Sequence, residues 1–237
     1  MSVGVVTDVF RYPVKSMAGQ RLQSATLGWH GLEGDRRFAF LREGTPGGFP
    51  FLSASRLPAL ILYRPQLGGT DGEAPTVATP AGAVLALDGD ALRVELSEAL
   101  GSPVSLLRLD NGIFDDAPLS LITEATIGTL AGGAGRALDI RRFRPNIVVR
   151  TPGARPFPED EWVGARLRFG EREDAPMMAV THRDLRCSMV GLDPDTAAAD
   201  PEILKTTVRM SETCAGVYGL PLRTGRIAVG DPVYLIG

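Results

Sequence analysis

Cys187 closes the run His182-Arg183-Asp184-Leu185-Arg186-Cys187, and Asp193-Pro194-Asp195-Thr196 follows it. Cationic neighbours favour the thiolate, which is the form that binds soft metals and carries sulfur. The chain has only one other cysteine, Cys214. Two cysteines are too few for a disulfide framework or for an iron–sulfur cluster with four protein thiolates. The pattern therefore points to thiol chemistry at Cys187, against the bland alternative that a free cysteine packs as a small hydrophobe. Cys214, in the apolar run Thr213-Cys214-Ala215-Gly216-Val217-Tyr218, is expected in the core.

Four places distant in sequence offer cations beside expected strand ends. They are Lys15 in Tyr12-Pro13-Val14-Lys15-Ser16, Arg36 and Arg37 in Gly34-Asp35-Arg36-Arg37-Phe38, Arg56 after Ser53-Ala54-Ser55, and Arg144 in Arg142-Phe143-Arg144-Pro145-Asn146. Arginine binds phosphate bidentately and lysine binds it as a point charge. A helix opening at Thr123 would add backbone N–H donors for an anion. Together these could hold a phosphorylated ligand near Cys187. Singly, each has an ordinary alternative: a solvated Lys15, a surface Asp35–Arg36 pair, a helix cap at Thr123, an Asn146 bonded to its own backbone. His30 and His182 read as packing or hydrogen-bonding residues rather than metal ligands, and Asp193 and Asp195 as turn builders.

The elements that must position these residues are mostly strands. Residues 3–10, 21–27, 37–41, 59–63, 83–96, 104–109, 142–150, 165–169, 176–181, 213–218 and 232–236 are β-prone runs punctuated by Gly, Pro or Asp. Residues 65–82 read as a surface loop, and 111–118 as a loop carrying Asp115 and Asp116. A helix is expected from Thr123 to about Gly132-Gly133, and a short one from Pro201 to Val208. Gly225 and Gly230-Asp231 mark turns. The fold class is α+β, mostly β and barrel-rich, with the chain dividing into residues 1–100 and 101–237.

Composition bounds the function. The 237 residues are 44% hydrophobic and 22% charged, with a net charge of −3. Neither nucleic acid nor a membrane is expected as a partner. No apolar run is long enough to span a bilayer and the start lacks a signal-peptide pattern, so a reducing cytoplasm is the expected location.

The motifs occur in an order that resembles the MOSC family, the molybdenum cofactor sulfurase C-terminal domain preceded by a smaller β-rich N-terminal domain. The resemblance rests on Tyr12 to Ser16, on Gly34 to Phe38, on Phe114-Asp115-Asp116-Ala117-Pro118 with Leu121-Ile122-Thr123-Glu124-Ala125, on Arg142-Phe143-Arg144-Pro145-Asn146-Ile147-Val148-Val149, on Arg186-Cys187 with Asp193 to Thr196, and on Gly225 to Val233. It covers nearly the whole chain and implies a MOSC-type β-barrel. It further implies that the ligand is the molybdenum cofactor (Mo-molybdopterin), with Cys187 as the metal ligand. Lys15, Arg36, Arg37, Ser53, Thr123, Arg144, Asn146 and Arg186 would be the cofactor-binding set. Pyridoxal phosphate binding is left open. The layout is similar to the amidoxime-reducing branch of the family, which implies an oxidoreductase that reduces N-hydroxylated small molecules by oxygen-atom abstraction at molybdenum. Electrons would come from a separate ferredoxin or flavoprotein reductase, since the sequence has no four-cysteine cluster domain. Two rivals stand beside this: a sulfur or cofactor carrier with a persulfide on Cys187, and a β-barrel that binds no cofactor. The sequence departs from the family pattern at Val190-Gly191, where members often carry threonines, and at Ala197, where glycine usually follows the Asp-Pro-Asp-Thr turn.

Overall fold

A computed structural model describes residues 1–44, 48–67 and 74–236. Its strands are β1 (Ser2–Arg11), β2 (Gln20–Leu22), β3 (Ser24–Gly28), β4 (Gly31–Leu32), β5 (Phe38–Arg42), β6 (Arg64–Gln66), β7 (Thr76–Ala78), β8 (Val84–Ala86), β9 (Val104–Arg108), β10 (Leu119–Thr123), β11 (Ile147–Arg150), β12 (Arg166–Phe169), β13 (Met177–Leu185), β14 (Cys214–Arg223), β15 (Gly225–Ala228) and β16 (Pro232–Ile236). The α-helices are α1 (Asp90–Leu100), α2 (Glu124–Ala134) and α3 (Pro201–Ser211).

Seven strands close a barrel in the order β11-β10-β14-β13-β12-β16-β1, with β1 pairing back onto β11 and β2 attached outside. Neighbours are antiparallel except β10 and β11, which run parallel. Alternation along the strands explains both faces. Leu119 and Leu121 of β10, and Ile147 and Val149 of β11, point into the barrel with Val6, Val9, Phe169 and Val217. The intervening Ile122 and Val148 point outward, where α2 and α3 cover them through Ile127, Leu130 and Ile203. A third core fills the lobe between β1 and β10: Val14, Met17, Phe40, Leu60, Leu92, Leu96 and Val104, joined by Leu192 from the segment after Cys187. The expected halves are therefore threaded through each other, because β1 completes a barrel built otherwise from β10–β14 and β16.

Several local expectations are corrected. Residues 59–63 belong to a 3-10 helix, Pro58–Leu62, started by its proline, with Leu60 and Ile61 buried. Residues 83–96 contain β8 and then α1. The run Leu92-Arg93-Val94-Glu95-Leu96 alternates like a strand, but Leu92 and Leu96 are one helical turn apart and buried, while Val94 is exposed. The loop expected at 65–82 contains β7 and most of β6, and its residues 68–73 lie outside the described set. Residues 142–150 begin in a 3-10 helix, Ile140–Phe143, before β11 starts. Gly225, expected at a turn, is the first residue of β15. Among the described residues, no helix is long and apolar enough to cross a membrane.

Candidate functional site

A cavity of about 700 Å³ is lined by Lys15, Arg36, Ser53, Arg144, Arg186 and Cys187, among others. Each arrives from the end of an element. Lys15 follows β1, where its backbone N–H bonds to Phe38 O at 2.8 Å. Arg36 follows β4, Arg144 follows the 3-10 helix before β11, and Arg186-Cys187 follow β13. Three lining residues hold the left-handed backbone conformation: Ser16 (φ 65°), Arg36 (46°) and Arg144 (49°). Such conformations cost of order 1–3 kcal/mol for residues other than glycine and cluster at sites where direction matters.

Arg36 is the centre of the cationic wall. It pairs with Asp35, which is fully buried, and with Asp115 at 2.6 Å, and it donates to Asn146 Oδ1 at 3.2 Å and Arg144 O at 3.0 Å. The alternative of a surface Asp35–Arg36 pair does not hold: the pair is interior, and Asp35 also accepts from Tyr12 N at 2.6 Å. Burial alone would weaken the guanidinium's hold on its proton, but the carboxylates of Asp35 and Asp115 overcome this and raise its pKa. At Asp115, burial pushes the carboxyl up, yet Arg36 and Lys15 bring it below the usual carboxylate range.

Asn146 is fully buried and does not bond to its own backbone. Its Oδ1 accepts from Arg36 and from Ser120 N at 3.0 Å, and its Nδ2 donates to Phe10 O at 3.2 Å. It fixes Arg36 against β1 and β10 from behind the cavity. Arg144 donates to Met17 O at 2.6 Å and lies over the Tyr12 ring at 4.3 Å. Lys15 Nζ donates to Phe114 O at 2.7 Å. Among the described residues, neither Lys15 nor Arg144 has a carboxylate ion-pair partner, and burial lowers the pKa of both. These are the two cations left for an anionic ligand group.

Cys187 is exposed and lines the same cavity, and its Sγ makes no hydrogen bond among the described residues. Arg186 beside it donates to Phe143 O at 2.7 Å and to Ala215 O, and pairs with Asp184 at 2.7 Å. Asp184 is 1% exposed and lines the same cavity. Its burial pushes the carboxyl up to about 6, against the opposing pull of Arg186. At the mouth, His182 Nε2 lies 3.2 Å from Asp116 Oδ2, consistent with the hydrogen-bonding role read from sequence.

Besides Asn146, two residues of the expected set do not line the cavity. Arg37 turns away and binds the carbonyls of Gly112 and His30, holding the loop that carries Phe114 and Asp115. Thr123 caps α2, accepting from Thr126 N at 3.1 Å, and is fully buried. The anion position at that helix start is already filled by Glu159, which accepts from Thr123 Oγ1 at 2.7 Å and Thr123 N at 3.2 Å. Arg56 is exposed, outside the lining set. Cys214 is half-buried at the start of β14 rather than in the core. Sequence reasoning missed Asp184 and Glu159 as interior carboxylates; the signal available was an acidic residue on an otherwise alternating strand for the first, and none for the second.

The segment after Cys187 keeps its turn. Asp193 Oδ1 accepts from the backbone N–H groups of Asp195 and Thr196, both at 3.1 Å. Ala197 adopts φ 59°, the left-handed conformation that glycine would take without strain. Gly191 fits because a Cβ there would lie 2.8 Å from Asp200 O. A second cavity, about 420 Å³, shares Arg142, Arg144 and Met189 with the first but contains no thiol.

Comparison with known proteins places these features in a lineage. Residues 3–111 match the MOSC N-terminal beta barrel domain, and residues 101–234 match the MOSC domain. Mitochondrial amidoxime-reducing component 1 is 32% identical over 136 residues in Mus musculus and 35% over 131 residues in Danio rerio, in each case over 52% of this chain. The match spans only 38% of the length of these relatives. Molybdenum cofactor sulfurase of Danio rerio is 26% identical over 90% of this chain and 31% of its own length. Among solved structures, the YUAD protein from Bacillus subtilis aligns over 99% of this chain and 96% of its own with a TM-score of 0.54 at 12% identity, a likeness of fold alone.

Proposed function

The chain belongs to the MOSC family, and from that premise we propose that it is a molybdenum-cofactor-binding oxidoreductase that reduces N-hydroxylated small molecules. The observation that carries this reading is one exposed thiol that lines the same cavity, about 700 Å³, as Lys15, Arg36, Arg144 and Arg186. The donor set fits the cofactor. Among the described residues, no group of three or more His, Cys, Asp or Glu side chains is arranged to hold a metal. A metal held here must bring ligands of its own, and a soft thiolate such as Cys187 suits it as the single protein ligand. Lys15 and Arg144, the cations without carboxylates, would neutralise the cofactor's phosphate, with Arg36, Arg186 and Ser53 bordering the pterin.

When bound, the cofactor would supply a metal that exchanges two electrons and accepts oxygen. The chain's own contribution is different. Cys187 anchors the metal, and the wall sets the orientation through guanidinium groups that are already hydrogen-bonded and need no rearrangement. Phe49, half-exposed at the rim, and Phe114 border the opening with apolar surface. The electrons would come from a separate carrier, for which a ferredoxin or a flavoprotein reductase is the proposed class. Amidoxime-type compounds are the proposed substrates, by analogy with the names of the mitochondrial relatives.

A second reading, a sulfur or cofactor carrier with a persulfide on Cys187, is favoured by the sulfurase match across 90% of the chain. The test is to express the chain in a host that makes the cofactor and measure molybdenum and released pterin per protein, beside Cys187→Ala. Near-stoichiometric molybdenum that the variant loses supports the reductase reading. A folded protein without molybdenum or pterin, carrying labile sulfur on Cys187, overturns it in favour of the carrier.

A further inference from the structure

Reduction of an N–OH group consumes protons, and the cavity wall contains a carboxyl that the reading above leaves unused. The balance is R–NHOH + 2 e⁻ + 2 H⁺ → R–NH₂ + H₂O. The N–O bond breaks, nitrogen gains one proton, and the departing oxygen leaves as water. The two electrons come from the proposed electron-carrier protein. We propose that Asp184 is the proton donor of this site, giving its carboxyl proton to the departing oxygen and regaining it from solvent. This rests on the reductase reading.

Four observations support the assignment. Asp184 is interior yet lines the same cavity as Cys187, three residues away along the chain. Its two recorded partners fall on one oxygen: Ser120 Oγ donates to Oδ2 at 2.9 Å, and Arg186 approaches Oδ2 at 2.7 Å. Oδ1 is left to bear the proton. Arg186 in turn is fixed by two backbone carbonyls, so it can stabilise the carboxylate after transfer without moving. Burial raises the carboxyl to about 6, which keeps an appreciable protonated fraction near neutrality.

The surroundings set the balance. Arg186 and, more weakly, Arg36 favour the carboxylate, and so does the Ser120 hydroxyl, while Asp115 opposes it. Burial raises the pKa of Tyr218 and of Cys214 in β14, and the charge of Asp184 adds to this at both, more at Tyr218 than at Cys214. The alternative donors at the rim, His182 and Asp116, are both exposed and paired with each other. Asp184 alone among the lining carboxyls combines burial with a raised pKa.

The test has a readout that needs no cofactor. Carboxyl ¹³C NMR of the aspartate-labelled, cofactor-free chain, with Asp184→Asn to assign the resonance, should give a midpoint near 6. A midpoint in the ordinary range near 4 overturns the proposal. The loaded protein, given a chemical reductant and an amidoxime, should then lose turnover above a midpoint that matches the NMR value. In Asp184→Asn, with molybdenum content unchanged, turnover at pH 6 should fall at least tenfold and that pH dependence should vanish. Should Asp184→Asn fail to fold, Ser120→Ala removes one hydrogen bond to the carboxylate and should move both midpoints upward together. Turnover that proceeds with a pH profile indifferent to these substitutions overturns the donor assignment and spares the reductase reading. No turnover in any variant of the molybdenum-loaded wild-type chain overturns the reductase reading, and the donor with it.

Discussion

On the cationic wall, Arg36 gives its guanidinium to two carboxylates, an amide and a carbonyl, and Asn146 locks it to β1 and β10. In the same cavity, Cys187 is exposed, its sulfur makes no hydrogen bond among the described residues, and the turn after it strains Ala197. The wall is built so that every donor but a few is satisfied before a ligand arrives, which fixes direction and charge. The rim leaves its reactive atom open. Residues of equal functional weight should therefore differ greatly in what they contribute to folding.

The sharpest way to break this contrast is Arg36→Met. It strands buried Asp35 and half-buried Asp115 without their cation and should destabilise the fold by about 3–5 kcal/mol, read by denaturant unfolding. The pH dependence should change with it. The folded-state pKa of Asp115 is depressed, so its stabilisation is present above the unfolded value and is lost as pH falls through the folded value. Wild-type stability should fall on acidification below about pH 4, and Arg36→Met should lose the part of that slope that Asp115 contributes. Asn146→Ala comes next, at about 2 kcal/mol, because it leaves Ser120 N and Phe10 O unpaired in the interior. Ala197→Gly tests the rim from the other side and should stabilise by about 1 kcal/mol, seen as a raised midpoint, since glycine relieves the left-handed strain. Cys187→Ala should have the smallest effect on stability, within about 0.5 kcal/mol, while molybdenum content collapses. A Cys187→Ala as damaging to folding as Arg36→Met would erase the distinction.

Much of the site was legible because its chemistry is carried by residue types. Lys15, Arg36, Arg144, Arg186 and Cys187 were identified from charge, thiol and expected strand ends, and they line one cavity. Thr123 and Arg37 were over-read, because a cap and a loop clamp have the same sequence signature as an anion site. Only tertiary structure brings Glu159 onto Thr123 and the Gly112 carbonyl onto Arg37. Asp184 was visible as a residue but not as an interior acid, since burial at that position depends on Ser120 and Tyr218 arriving from other strands. In the fold, α1 was hidden by a leucine spacing that satisfies both a strand and a helix. The role of β1 was hidden because its barrel partners are β11 and β16, far along the chain.

That pairing has a consequence for biogenesis. Met1 and Leu235 exchange hydrogen bonds at 3.1 and 2.9 Å, so β1 is zipped to a strand far along the chain. During translation at about 5–20 residues per second, β1 waits on the order of ten to forty seconds for β16 to follow it off the ribosome. The lobe with β5, β9 and α1 can compact in that interval, while the barrel is an open sheet with an unpaired edge. Until β16 emerges, the nascent chain is exposed to misassociation along that edge, and a chaperone that shields β1 would act in that interval.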